Sequence, residues 1–122
     1  MPNWTDIYAK VVGSFNCAAS ICHSATMHAG NLDMSTKAAA YMNLVGVDAM
    51  GTATAPQVSC NTTMTKRVAA NMPDVSLLVQ KLEGVDDAGD PVCGAPMPVG
   101  SSFPMAFVAP IREWIMNGAM DN

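Results

Sequence analysis

The chain has 122 residues, enough for one domain over residues 1–122 with a single core. Ten acidic and six basic side chains give a formal net charge of −4, which disfavours nucleic acid and anionic membrane surfaces as partners. No apolar run reaches the roughly 18 residues of a membrane span, and the first residues lack the basic and apolar parts of a signal peptide. We therefore expect a soluble protein and, if it is exported, its mature part.

The spacing of apolar residues predicts four short helices and no convincing strand. The first begins after Asn3 or Thr5 and runs into residues 17–23. The second covers residues 36–45, the third residues 73–84, and the last starts at 107 or 108 and ends near 117. Residues 47–65 and 86–100 are rich in turn formers and are expected to be loops. About half of the chain is then in loops, which is a large share for a helical domain with a small core. We therefore expect the loops to wrap around a bound group.

Residues 17–23 read CAASICH, with a histidine directly after the second cysteine. In haem c attachment, two cysteines bond the vinyl groups and the next histidine ligates the iron, usually with the spacing C-x-x-C-H. The spacing here is two residues longer. A local disulfide between Cys17 and Cys22 stays open as an alternative. A zinc site is the weaker alternative, because Cys60, Cys93 and His28 lack the paired spacing of structural zinc ligands.

One of the eleven methionines has an unusual setting. Most methionines fill cores, but Met97 lies between Pro96 and Pro98, which restrict the backbone on both sides. Electron-transfer haem proteins usually use a methionine as the distal ligand. Met97 is therefore the candidate for that position, and Met105 is the reserve.

Four blocks, taken in order along nearly the whole chain, carry a resemblance to a known family. The chain resembles the single-haem c-type cytochromes, in particular a bacterial group of short cytochrome-c-like domains. The blocks are residues 17–23, residues 31–35 with 40–45, residues 67–68 with 73–78, and residues 97–98 with 114–119.

The resemblance implies an all-α, cytochrome-c-like fold, with four short helices and long loops wrapped around one covalently bound haem. It implies that Cys17 and Cys22 attach one haem c through thioether bonds, with His23 as the proximal and Met97 as the distal ligand of the iron.

The same resemblance implies that the first and last helices cross, with Gly13 allowing a close approach of Tyr8 and Trp114.

The resemblance also leads to expectations for Cys60, Cys93 and Arg67. Cys60 and Cys93 lie in two long loops, and a disulfide between them would brace the loop that carries Met97; two buried free thiols are the alternative. Arg67 either approaches a haem propionate, which guanidinium binds with two parallel hydrogen bonds, or is simply a solvated residue beside Lys66.

The expected function is periplasmic electron transport, in a protein that is not an enzyme. The expected partners are redox proteins of a respiratory or photosynthetic chain, and the domain acts alone or as a subunit of a larger complex. Two other classes stay open. One is a haem-based sensor or peroxidase-like domain with a labile sixth ligand, and the other is a haem-free, disulfide-stabilised binding module.

Overall fold

The computed structural model describes all 122 residues and contains four short α-helices joined by long loops. The helices are α1 (Trp4–Ile7), α2 (Lys37–Leu44), α3 (Leu77–Glu83) and α4 (Val108–Met116). A π-helical stretch, Tyr8–Gly13, continues α1. Short 3₁₀ turns occur at Ala29–Asn31, Cys60–Thr62, Pro73–Val75 and Met105–Phe107. The only β pairing is four isolated bridges, and no helix is long and apolar enough to cross a membrane.

The helix ends follow from local side-chain chemistry. Asn3 caps α1 by accepting a hydrogen bond from the amide of Asp6 at 2.8 Å, and Thr36 caps α2 through the amide of Ala39 at 3.0 Å. Both caps satisfy an N–H that the first turn leaves without a helical partner. Gly84 ends α3 in the left-handed conformation, with φ +84°, which glycine adopts without steric cost.

The core is built where α1 meets α4. The rings of Trp4 and Trp114 stack with their centroids 5.0 Å apart, and both side chains are buried. The indole N–H of Trp4 donates to the carbonyl of Lys37 at 3.0 Å, which ties α1 to the start of α2. The expected contact between Tyr8 and Trp114 is wrong, because Trp4, one turn earlier, is the residue that stacks on Trp114. Tyr8 instead donates its hydroxyl to the carbonyl of Met34 at 2.9 Å.

Ion pairs join α4 to α3. Arg112 binds both carboxylate oxygens of Glu83, at 3.1 and 2.8 Å, and one oxygen of Asp74 at 2.7 Å. These bonds raise the pKa of Arg112 above its already high ordinary value. Since the guanidinium is paired at both ends, α4 is fixed against α3 and against the turn before it.

A disulfide joins the two long loops. Cys60 and Cys93 are bonded, with their Cα atoms 5.1 Å apart, and both residues are buried together with Ala49, Leu77 and Val92. The predicted Cys60–Cys93 bridge is confirmed, and the alternative of two free thiols at these positions is not what the structure shows.

Replacing Cys60 and Cys93 together by serine should lower the free energy of unfolding by about 3 to 4 kcal/mol in the loop-entropy model. The physical reason is that the bridge links residues 33 apart in sequence and so restricts the unfolded chain. Denaturant unfolding of the oxidised protein and of the double variant measures the difference. The reduced wild-type protein serves as the control and should match the variant. Equal stability of all three would contradict the prediction.

Candidate functional site

The structure contains a cavity of about 480 Å³. Ligand pockets typically measure about 300 to 1,000 Å³, so this space can take a sizeable small molecule. Most of its walls are apolar, and they come from every part of the chain; examples are Trp4, Ile7, Val11, Leu44, Leu78 and Ile111. Both long loops contribute to the lining, through residues 49–54 of the first and residues 94, 95 and 97 of the second.

Four of the five predicted site residues line this cavity. They are Cys17, His23, Arg67 and Met97. Cys22 is half-buried and lies outside the lining, although it directly precedes His23. Met105, the reserve for Met97, is 59 % exposed and does not line the cavity. Of these two methionines, only Met97 lines the cavity, together with Met34 and Met50.

Residues 17–23 form a compact series of turns with both thiols free. The amide of Cys17 donates to the carbonyl of Val12 at 3.1 Å, and the amide of His23 donates back to the carbonyl of Cys17 at 3.0 Å. Of the four residues between the cysteines, Ser20 and Ile21 are exposed, Ile21 to 79 %, whereas Ala18 packs against the core. The local Cys17–Cys22 disulfide, kept open as an alternative, is not formed. Burial raises the pKa of the Cys17 thiol, which keeps it protonated at neutral pH.

The imidazole of His23 is oriented by one hydrogen bond. Its Nδ1 lies 3.1 Å from the carbonyl oxygen of Leu32. A carbonyl can only accept, so Nδ1 carries the proton in the neutral ring and Nε2 carries the lone pair. Burial lowers the pKa of His23, which favours this neutral form. The ring therefore presents an unprotonated nitrogen, which is the form that binds a metal or accepts a hydrogen bond.

Arg67 is a buried cation without a carboxylate partner. It is 4 % exposed, and its guanidinium donates to the carbonyl of Asn43 at 2.9 Å and to that of Gly30 at 2.7 Å. Burial lowers its pKa. Its neighbour Lys66 instead pairs with Asp48 at the surface, at 2.9 Å. Arg67 is thus not the solvated residue that one alternative expected.

The loop that carries Met97 is fixed by a residue that the sequence reasoning missed. The ammonium of Lys81 donates to the carbonyls of Cys93 and Ala95, at 2.7 and 2.8 Å. Lys81 also lines the cavity, and burial lowers its pKa. The available signal was its place on α3, four residues after Leu77 and three after Leu78, which puts it on the face that lines the cavity.

The lining contains Arg67 and Lys81 but no aspartate or glutamate. A buried cation is costly unless a negative group compensates it. The cavity is therefore suited to a ligand that is mainly apolar and carries negative charge.

No protein-family model, curated protein or solved structure matches this chain. The chain also brings no three or more His, Cys, Asp or Glu side chains together in a group that could hold a metal ion. The assignment to the single-haem c-type cytochromes is therefore wrong. Its four sequence blocks are short and consist largely of common helix and turn residues, so their order does not establish a family.

The attribution of metal binding, iron and haem to the chain on the strength of that family is wrong as well. No metal centre is assembled from the chain's own side chains, and the same finding goes against the zinc alternative. His28 lies apart from the site, outside the cavity lining. Its Nδ1 is 3.2 Å from the carbonyl of Ala25, within its own turn.

Changing Arg67 to methionine should lower the free energy of unfolding by about 1 to 3 kcal/mol, because two carbonyls in a buried region lose their donor. Changing Lys66 to methionine is the matched control. It breaks an exposed ion pair and should cost less than about 1 kcal/mol. Denaturant unfolding of the two variants and the wild-type protein measures both values. Equal losses at the two positions would show that Arg67 is not held as described.

Proposed function

We propose that the cavity holds one haem group attached through Cys17 and Cys22, and that the protein transfers electrons. One observation carries this proposal: a thiol, an imidazole and a thioether, from Cys17, His23 and Met97, line a single apolar cavity. Cys17 and His23 belong to the same short segment, whereas Met97 comes from a loop that is distant in sequence. A porphyrin brings four nitrogen ligands of its own, so it does not require a metal-binding cluster of protein side chains.

The residues present fit such a group. The volume of about 480 Å³ and the apolar walls suit a large, flat, apolar ring. Both thiols of residues 17–23 are free, as thioether formation requires. The Nε2 atom of His23 carries a lone pair because its Nδ1–H is bonded to Leu32. Arg67 supplies a positive charge on the wall.

Each of these residues would have a separate task. His23 and Met97 would hold the iron through nitrogen and sulfur, and the apolar walls would exclude water. Arg67 uses two of its five N–H donors on backbone carbonyls, which leaves donors for a carboxylate of the bound group. Haem supplies one-electron redox chemistry when bound, and its potential depends on the axial ligands and on burial. We infer no catalytic residue.

The proposed setting is the periplasm or another exported compartment, because disulfides such as Cys60–Cys93 persist in oxidising environments. The partners would be redox proteins of a respiratory or photosynthetic chain. The protein would bind them either by itself or as a subunit of a larger complex. A sensor or peroxidase-like role would require Met97 to leave its position. The bonds that Lys81 makes to the loop carrying Met97 make this alternative less favourable.

A second candidate function is haem-free binding of an amphipathic carboxylate. The specific observation in its favour is that an apolar cavity contains two cationic residues, Arg67 and Lys81, and no acidic one. Such a module would bind its ligand reversibly, and its thiols would stay free. The mass of the denatured protein separates the two candidates.

The first experiment tests covalent attachment. The chain should be produced by a host that attaches haem to exported proteins, then denatured and weighed by mass spectrometry. Each thiol adds across one vinyl double bond without losing atoms, so we expect the mass of the chain plus one complete haem. The Cys17→Ser/Cys22→Ser variant is the control and should show the mass of the peptide alone. Peptide mass alone in the wild-type protein would overturn the proposal and favour the second candidate.

The second experiment assigns the methionine ligand. In the haem-loaded protein, Met97→Ala should abolish the sulfur-to-iron charge-transfer band of the oxidised state and shift the reduction potential, since a thioether stabilises ferrous iron. Met105→Ala is the matched control, because Met105 is exposed and lies outside the cavity lining. It should leave both the band and the potential nearly unchanged. Loss of the band in Met105→Ala, with its survival in Met97→Ala, would reverse the assignment.

A further inference from the structure

We propose that Lys81 is the positioning residue that holds Met97 at the cavity. The role given to the Met97 thioether rests on the proposed function. The contacts between Lys81 and the loop do not depend on any bound group. Lys81 makes three hydrogen bonds to the segment 93–97. Its ammonium donates to the carbonyls of Cys93 and Ala95, at 2.7 and 2.8 Å. Its own carbonyl accepts from the amide of Met97 at 2.8 Å.

The segment around Met97 has few other means of attachment. Pro96 and Pro98 lack an N–H and therefore cannot donate backbone hydrogen bonds. Between residues 95 and 98, only Ala95 and Met97 have an amide to donate, and that of Met97 goes to Lys81. The prolines restrict the backbone angles of the segment, but they do not fasten it to the rest of the protein. Lys81 supplies that attachment.

The ammonium of Lys81 is enclosed by the loop that it binds. Gly94 has φ +61°, and a Cβ atom added to it would lie 2.8 Å from Nζ of Lys81. The loop is anchored just before this point by the disulfide at Cys93 and by the amide of Gly94, which donates to the carbonyl of Val58 at 2.7 Å. Lys81 extends the anchored region from residue 94 to residue 97.

A lysine suits this position because its ammonium is a compact charge with three N–H donors. Two donors bind carbonyls of one turn, and such charge-assisted bonds are stronger than neutral ones. Methionine, an unbranched side chain without an N–H donor, would lose both bonds. The expected consequence of its loss is local opening of residues 93–98, with the helices and the disulfide kept.

The first test is amide hydrogen exchange in the full-length protein as purified, which requires no haem. In Lys81→Met, the Met97 amide should exchange roughly tenfold faster or more, because opening the segment no longer breaks the two charge-assisted bonds. Peptides from α4 serve as the internal reference and should be unchanged. Lys66→Met is the matched control, and unchanged exchange at Met97 is expected there. Unchanged exchange at Met97 in Lys81→Met would overturn the proposal.

Lys81→Arg separates positioning from packing. Arginine keeps the charge and several donors, so protection of the Met97 amide should lie closer to the wild-type value than in Lys81→Met. Equal loss in both variants would mean that Lys81 acts by packing alone, and the proposal would be rejected. If Lys81→Met does not fold, Lys81→Leu, which also lacks an N–H donor, replaces it. The same local increase in exchange is expected there, and its absence would count against the proposal.

The second test uses the haem-loaded protein. Lys81→Met should weaken the sulfur-to-iron charge-transfer band, Lys81→Arg should restore part of it, and Lys66→Met should leave it unchanged. An undiminished band in Lys81→Met would reject the positioning role. Failure of the chain to acquire haem would reject the proposed function instead, and the exchange measurement would still decide whether Lys81 holds the loop.

Discussion

The apolar cavity of about 480 Å³ is the constraint on which most of this structure depends. Protein interiors are close-packed, and a chain of this length has a single core, so a central space of this size divides that core. On one side, the stacked rings of Trp4 and Trp114 hold α1 against α4. On the other, the Cys60–Cys93 disulfide holds the two long loops together. A group that fills the space would add packing contacts to both sides. Ligand binding would therefore also stabilise the fold.

The helices could be predicted well from the sequence, because their signals are local. Asn3, one of the two candidate caps, caps α1, and Gly84 ends α3 with a positive φ. The starts of the other helices were less exact: Thr36, predicted inside the second helix, is its cap, and α3 begins at Leu77 because Pro73–Val75 forms a 3₁₀ turn. The partner of Trp114 could not be predicted. Trp4 and Tyr8 lie one turn apart on the same helical face, so spacing alone does not say which ring stacks. Long-range bonds decide it, since the amide of Trp4 donates to the side chain of Asn122 at 3.0 Å.

The structure brings together only part of the predicted set of site residues. Cys17, His23, Arg67 and Met97 line one cavity, whereas Cys22, which was grouped with them, does not. Lys81 was missed because its partners are backbone carbonyls of a distant loop, and a carbonyl acceptor leaves no residue-specific signal in a sequence. The family assignment failed for a different reason. It relied on short sequence signals that many unrelated chains share.

The charge that lines the cavity is opposite in sign to the net charge of the chain. The chain has an excess of acidic residues, with a formal net charge of −4, yet the cavity lining contains only the cations Arg67 and Lys81. Lys81 is occupied by the loop that carries Met97, whereas Arg67 binds two carbonyls and keeps unused donors. A neutral apolar ligand would leave the charge of Arg67 uncompensated in a buried position. A small anion would leave the apolar walls uncovered. A mainly apolar ligand that bears a carboxylate would satisfy both requirements, and this is the property that the two proposed ligands share.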